Sequence, residues 1–168
     1  MLLNSIDLEL KDLEQVKIEP QKFDKSKETI VIVDDNEGIC AFLKDDLSDI
    51  TDKNILTFSG VYAVFKCIKF CETYNITPEY CILDIIFNGI ITKDKTNLKL
   101  NGIHLLEYFL NKKNIHYCFF TGSLSSNICD FDSQYNKLTK KDIQEKVIPK
   151  LVLNYKDRTR KIQELLEL

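Results

Sequence analysis

ETIVIVDDNEG, residues 28–38, decides the fold. Thr29, Ile30, Val31, Ile32 and Val33 form an unbroken run of β-branched residues, which suits a strand covered on both faces. Two carboxylates follow at once, Asp34 and Asp35. Asn36, Glu37 and Gly38 then lead into a segment in which Ile39, Phe42, Leu43 and Leu47 recur at helical spacing. A doubly buried strand feeding a helix is the opening unit of a parallel sheet with crossover helices.

The same alternation continues outward. Ile55 to Phe58 reads as a second strand, and Val61 to Glu72 as a helix with Val64, Phe65, Ile68 and Cys71 on one face. Tyr80 to Leu83 is the third strand and ends at Asp84. Gly102 to Leu110 is a third helix, Ile115 to Phe120 a fourth strand, Leu124 to Cys129 a short helix, and Tyr135 to Leu138 the expected fifth strand. Between Asp84 and the third helix, residues 85–100 include the polar run KDKTNLK, a connection long enough to suggest a functional loop. Leu3, Ile6, Leu10 and Leu13 mark an amphipathic helix that stops before Pro20. Ile148, Leu151, Val152, Tyr155, Ile162 and Leu166 continue a helical stripe at the other end, interrupted by Pro149. The expected division is an N-terminal helical extension or linker at 1–27, a domain at 28–154 and a C-terminal helical extension at 155–168. Both end stripes could cover this domain's own core; the second is longer than a closing helix needs and could equally offer a surface for a partner or for self-association.

The 168 residues, 44% hydrophobic and 29% charged, suffice for one core and are too few for two ordinary domains. A net charge of −3 gives no general attraction to nucleic acid or anionic lipid. Asp7, Glu9, Asp12 and Glu14 break up the start of the chain where a secretory signal needs an apolar run, so a cytoplasmic protein is expected. The six cysteines, Cys40, Cys67, Cys71, Cys81, Cys118 and Cys129, sit among apolar residues with no CxxC pair and read as buried reduced thiols. Cys67 and Cys71 with His104 or His116 have zinc-ligand chemistry, but helix burial explains their spacing equally well. No metal is assigned there.

In an open parallel sheet, ligands bind beyond the carboxyl ends of the strands. Asp34 and Asp35 follow strand one, Asp84 ends strand three, Thr121 and Gly122 follow strand four, and Lys140 follows the expected strand five. Any one of them alone is a cap, a turn or a solvated charge. Three converging carboxylates would raise one another's pKa values, and a hard divalent ion such as magnesium, which prefers oxygen ligands, relieves the repulsion. With such an ion in place, Asp84 could attack phosphorus while Lys140 and the Thr121 hydroxyl stabilise the remaining oxygens.

ETIVIVDDNEG at 28–38, YCILDI at 80–85, NGIHLLEYF at 101–109, YCFFTGS at 117–123 and KLTKKDI at 137–143 together make the chain resemble the response regulator receiver domains of two-component signalling. The resemblance implies a flavodoxin-like, doubly wound, five-stranded parallel sheet of order 2-1-3-4-5 with helices on both faces. It also implies that Asp84 is the phosphoacceptor, that Asp35, Asp84 and the Ile86 carbonyl bind Mg2+ or Mn2+ with Asp34 as an outer partner, that Thr121 is the switch hydroxyl and that Lys140 contacts the phosphoryl group. The donor would be a histidine kinase or histidine phosphotransfer protein, and the output binding to a downstream protein.

Several positions depart from the family pattern. The connection from Asp84 to Gly102 is longer than usual, Lys141 stands where proline usually follows the lysine, Lys137 stands where an aromatic switch residue is usual, and the interval from Thr121 to Lys140 is short. Ile86 and Ser123 offer no carboxylate or amide to orient an attacking water, so a long-lived phosphoryl state is expected. The chain is thus expected to act as a stand-alone receiver, limited to self-phosphorylation and autodephosphorylation rather than turnover. The alternative is a phosphorylation-independent scaffold or adaptor that works through its terminal helices. An aspartate-nucleophile phosphohydrolase of the haloacid dehalogenase type fits less well, because Asp34-Asp35-Asn36 is not the DxD that should end its first strand.

Overall fold

The computed structural model describes residues 16–85, 90–91, 97–98, 102–122, 138, 140–150 and 155–168. The expected helix over residues 3–13 and the expected helix at 124–129 lie outside them.

A five-stranded parallel sheet forms the centre. Its strands are β1 (Thr29–Val33), β2 (Asn54–Phe58), β3 (Tyr80–Leu83), β6 (His116–Thr121) and β7 (Val147–Pro149), in the order β2-β1-β3-β6-β7. In strand-by-strand terms this is the order 2-1-3-4-5 of a flavodoxin-like sheet. The interposed β4 (Ile90–Ile91) and β5 (Asn97–Leu98) pair only with each other, as a small antiparallel hairpin in the long connection after Asp84.

β1 is fully buried, and its side chains divide between the two faces as the period of a strand requires. Val31 and Val33 enter one core with Cys81, Leu83 and Phe119; Ile30 and Ile32 enter the other with Ile82, Cys118 and Phe120. The first core is covered by α2 (Ala63–Tyr74), α3 (Gly102–Leu110) and α4 (Lys140–Glu145), which supply Val64 and Ile68, Leu106, and Ile143 in turn. The second is covered by α1 (Glu37–Ser48) and α5 (Tyr155–Leu166). Five cysteines, Cys40, Cys67, Cys71, Cys81 and Cys118, are buried free thiols within these layers, as expected.

Two features differ from the sequence reading. The fifth strand is Val147–Pro149, not Tyr135–Leu138; of the latter segment only Leu138 is described, and it is buried in the first core. The helical stripe expected from Ile148 onward is divided accordingly, Ile148 belonging to the strand and Ile162 and Leu166 to α5, where both are fully buried. A buried ion pair helps seat this helix: Arg158 donates to Asp46 of α1 at 2.9 Å, and its guanidinium lies 3.9 Å from the centre of the Phe42 ring.

Residues 16–27, expected as part of a helical extension, run as an irregular strap along the exposed edge of β2. The Gln21 side-chain amide donates to the Thr57 carbonyl at 2.8 Å and accepts from the Thr57 N–H at 3.0 Å, occupying both outward backbone groups of that residue. Three residues on, the Asn54 side chain accepts from the Asp24 N–H and donates to the Asp24 carbonyl, both at 2.7 Å. Phe23 meets Phe70 and Tyr74 edge to face, with ring centres 5.9 and 5.4 Å apart. The strap therefore does for β2 what another strand would do, using side-chain amides in place of a backbone ladder.

Candidate phosphoacceptor and metal site

The carboxyl ends of β1 and β3 bring Asp34, Asp35 and Asp84 together, with ligand oxygens that all lie within 4.8 Å of one another. Among the described residues this is the one group of three or more side chains with metal-ligand character. Local capping explains why these carboxylates are available to each other. The helix after β1 is capped by Asn36, whose side chain accepts from the N–H groups of Gly38 at 2.9 Å and Ile39 at 3.3 Å. Neither Asp34 nor Asp35 serves as that cap. Asp34 instead accepts the Asn36 N–H at 2.9 Å through one oxygen and directs the other into the cluster.

Among the described residues, Lys150 brings a cation into the cluster. Its ammonium lies 2.6 Å from Asp34 Oδ2 and 2.7 Å from Asp84 Oδ2, and its side chain is 15% exposed. The backbone aims it there: Pro149 pairs with Thr121 across β6 and β7, and the Lys150 N–H donates to the Thr121 carbonyl at 3.0 Å. Lys140, expected in this place, is the first residue of α4, ten positions before Lys150. Between Thr121 and Lys150 lie 28 residues, and Lys137 lies outside the described residues. Thr121 itself ends β6 and is buried, 1% exposed. Ile86 and Ser123 lie outside the described residues.

Burial sets the electrostatics. Asp34, almost fully buried, has its pKa raised by desolvation, and the nearby Asp84 charge pushes the same way; hydrogen bonds from Lys150 and the Asn36 N–H oppose it. Burial works against the Lys150 ammonium, yet its hydrogen bonds to Asp34 and Asp84 outweigh that and raise its pKa, so it stays charged. Cys40, beneath the cluster, is pushed up to about 12 by burial and by the Asp34 charge, which makes it an inert thiol. Among the described residues, three carboxylates gather around one ammonium. Oxygen donors of this kind fit a small divalent cation.

Gly102 positions the far wall. Its N–H donates to the Asp84 carbonyl at 3.0 Å, and a Cβ there would lie 2.1 Å from that oxygen and 2.8 Å from Leu83 Cβ. Only glycine lets α3 begin against the backbone of Asp84. The hydrogen bond also pinches together the two ends of the connection that carries the β4–β5 hairpin.

This architecture, a flavodoxin-like sheet with an acidic cluster where receiver domains have their phosphoacceptor pocket, is the response regulator receiver fold. Among solved structures, the chain is similar to the receiver domain of the Erythrobacter litoralis PhyR response regulator, with 14% identity, a TM-score of 0.54, and coverage of 84% of this chain and 92% of that one. It is similar to a LuxR-family DNA-binding response regulator from Staphylococcus aureus at 16% identity and a TM-score of 0.55, covering 82% and 98% of the two chains. The BeF3-activated N-terminal receiver domain of RstA from Klebsiella pneumoniae matches at 13% identity and a TM-score of 0.53, covering 84% and 100%. At these identities the likeness is one of fold. No protein-family model matches the sequence, and no curated protein matches it. Among the described residues, no helix is long and apolar enough to cross a membrane.

Proposed function

We propose that this protein is a receiver that accepts a phosphoryl group on Asp84 from a phosphohistidine of a histidine kinase or phosphotransfer protein, in the cytoplasm, and signals by binding another protein. The observation that carries the reading is the convergence of Asp34, Asp35 and Asp84 within 4.8 Å, with Lys150 bonded to two of them.

Asp34, Asp35 and Asp84 would hold the divalent ion. When bound, Mg2+ or Mn2+ supplies charge neutralisation for the phosphoryl oxygens. The chain's own groups do the rest. A carboxylate oxygen of Asp84 attacks phosphorus as the P–N bond of the phosphohistidine breaks, a P–O bond forms, and the departing imidazole nitrogen takes up a proton. Lys150, already beside Asp84, holds one of the transferred oxygens. The Thr121 hydroxyl, at the end of the neighbouring strand, serves another.

The test is incubation with acetyl phosphate and Mg2+ followed by intact-mass measurement. A gain of one phosphoryl group in the wild type, lost in Asp84→Asn and on chelation of the metal, is expected. An unmodified wild type, or an Asp84→Asn protein modified equally well, refutes the reading.

A further inference from the structure

We infer that Lys66 is a positioning residue for Asp35 and acts through a single peptide group: its ammonium fixes the carbonyl of the Ser59–Gly60 peptide, and the N–H of that same peptide holds the Asp35 backbone. The inference rests on the reading of Asp34, Asp35 and Asp84 as a metal-assisted acceptor site, and adds a residue outside the cluster that keeps it in shape.

The turn between β2 and α2 grips both aspartates by their backbones. Asp34 N–H donates to the Phe58 carbonyl at 3.2 Å, one bond beyond the end of β1, and the Gly60 N–H donates to the Asp35 carbonyl at 3.1 Å. Between these two contacts lies the Ser59 carbonyl, to which Lys66 Nζ donates at 3.1 Å. The carbonyl and N–H of one trans peptide point in opposite directions within one plane. The Ser59–Gly60 peptide is therefore held by Lys66 on one side and holds Asp35 on the other. Gly60 stands at φ +81°, and because glycine tolerates φ of either sign, the peptide before it can turn over at little steric cost. Turning over would break both bonds at once. A cation on the carbonyl opposes that rotation and, by polarising the peptide, makes its N–H a stronger donor.

Neither the helix nor an ion pair accounts for Lys66. It is the fourth residue of α2, close to the helix N-terminus, where the helix dipole disfavours a cation. Its ammonium bonds to a neutral carbonyl, whereas Lys53, Lys113 and Lys150 all bond to carboxylates. Fixing a half-buried lysine in this way costs side-chain entropy, and the ordered peptide is what that cost secures. Asp34 has a further local tether, the Asn36 N–H on its own carboxylate at 2.9 Å. Asp35 is tied to the β2–α2 turn through its backbone, so the setting of its carboxylate follows the setting of the Ser59–Gly60 peptide. Groups that orient a metal ligand from behind typically change metal affinity by about 10–100-fold when removed.

Binding of Mn2+, followed by the loss of the free ion's electron paramagnetic resonance signal, tests this without calling on phosphorylation. Wild type is compared with Lys66→Met, Lys66→Arg, Lys69→Met and Asp84→Asn. Lys69→Met is the control, because Lys69 Nζ also donates to a carbonyl, that of Val16 in the strap, at 3.0 Å. Wild type should bind Mn2+ and Asp84→Asn should bind it more weakly. Lys66→Met should lose about tenfold in affinity, Lys66→Arg should recover most of that loss, and Lys69→Met should match wild type. Equal affinity in wild type and Lys66→Met, or a loss as large in Lys66→Arg or Lys69→Met, overturns the positioning role and leaves the acceptor site standing. A wild type that binds no Mn2+, or an Asp84→Asn protein that binds it equally well, overturns the site reading and the inference together.

Discussion

Replacing Lys150 by methionine separates the cluster from its internal cation at almost constant side-chain volume. At 2.6 and 2.7 Å, each carboxylate contact is worth about 6 kcal/mol of Coulomb energy at an effective dielectric of about 20, and burying the ammonium offsets much of it. Breaking buried pairs of this kind costs on the order of 3–5 kcal/mol, because the carboxylates left behind are poorly solvated. Asp34 and Asp84, 2% and 5% exposed, meet that condition. Urea denaturation at neutral pH followed by circular dichroism should therefore show a loss of about 3 kcal/mol for Lys150→Met without metal. Saturating Mg2+ should recover part of it, since the ion supplies the missing positive charge. Lys141→Met should stay within about 0.5 kcal/mol of wild type, as its side chain is 81% exposed. A Lys150→Met protein as stable as wild type without metal, or a Lys141→Met protein equally destabilised, would refute the assignment of the cation.

Gly102→Ala should cost about 1–3 kcal/mol and slow modification by acetyl phosphate, because its Cβ cannot be accommodated without moving the Asp84 backbone; thermal melting and intact-mass kinetics on the same sample check both effects. Arg158→Met should lose about 3 kcal/mol by stranding Asp46, and adding Asp46→Leu should restore most of it, an outcome read from a double-mutant cycle. His104, largely buried on α3, has its pKa lowered to about 4 by desolvation. Its folded pKa lies below the unfolded value near 6.5, so its contribution is complete above pH 6.5 and is lost as pH falls towards 4, a slope worth up to about 3 kcal/mol. Titration of stability over that window should flatten in His104→Phe, and an unchanged slope would show that another group is responsible.

The strand order and the acidic cluster were legible because both rest on strong local signals. β1 is fully buried and β-branched throughout, and Asp34, Asp35 and Asp84 stand at the first polar positions after β1 and β3. The fifth strand was missed for a physical reason. Val147–Pro149 is three residues long and ends in proline, which argues against a central strand but is tolerated at a sheet edge, where one side of the backbone needs no partner. Tyr135–Leu138 offered a better pattern followed by a plausible lysine. The overlooked signal was Lys150 itself, a basic residue directly after a short apolar run, in the position that Asp84 has after β3. Asn36 was also recoverable: an asparagine two residues before Gly38 is a good helix cap, and assigning the cap to it frees both aspartates for the cluster.

The strap over β2 changes where this domain can be cut. A fragment starting at Glu28 would keep every strand and helix described, yet it would uncover Phe70 and Tyr74 and leave the Thr57 backbone groups without the Gln21 amide. An unguarded parallel-sheet edge recruits other chains. Such a fragment would be prone to self-association that says nothing about signalling, so dimers seen with short versions of this chain should be compared with versions that retain residues 16–27 before any regulatory meaning is attached to them.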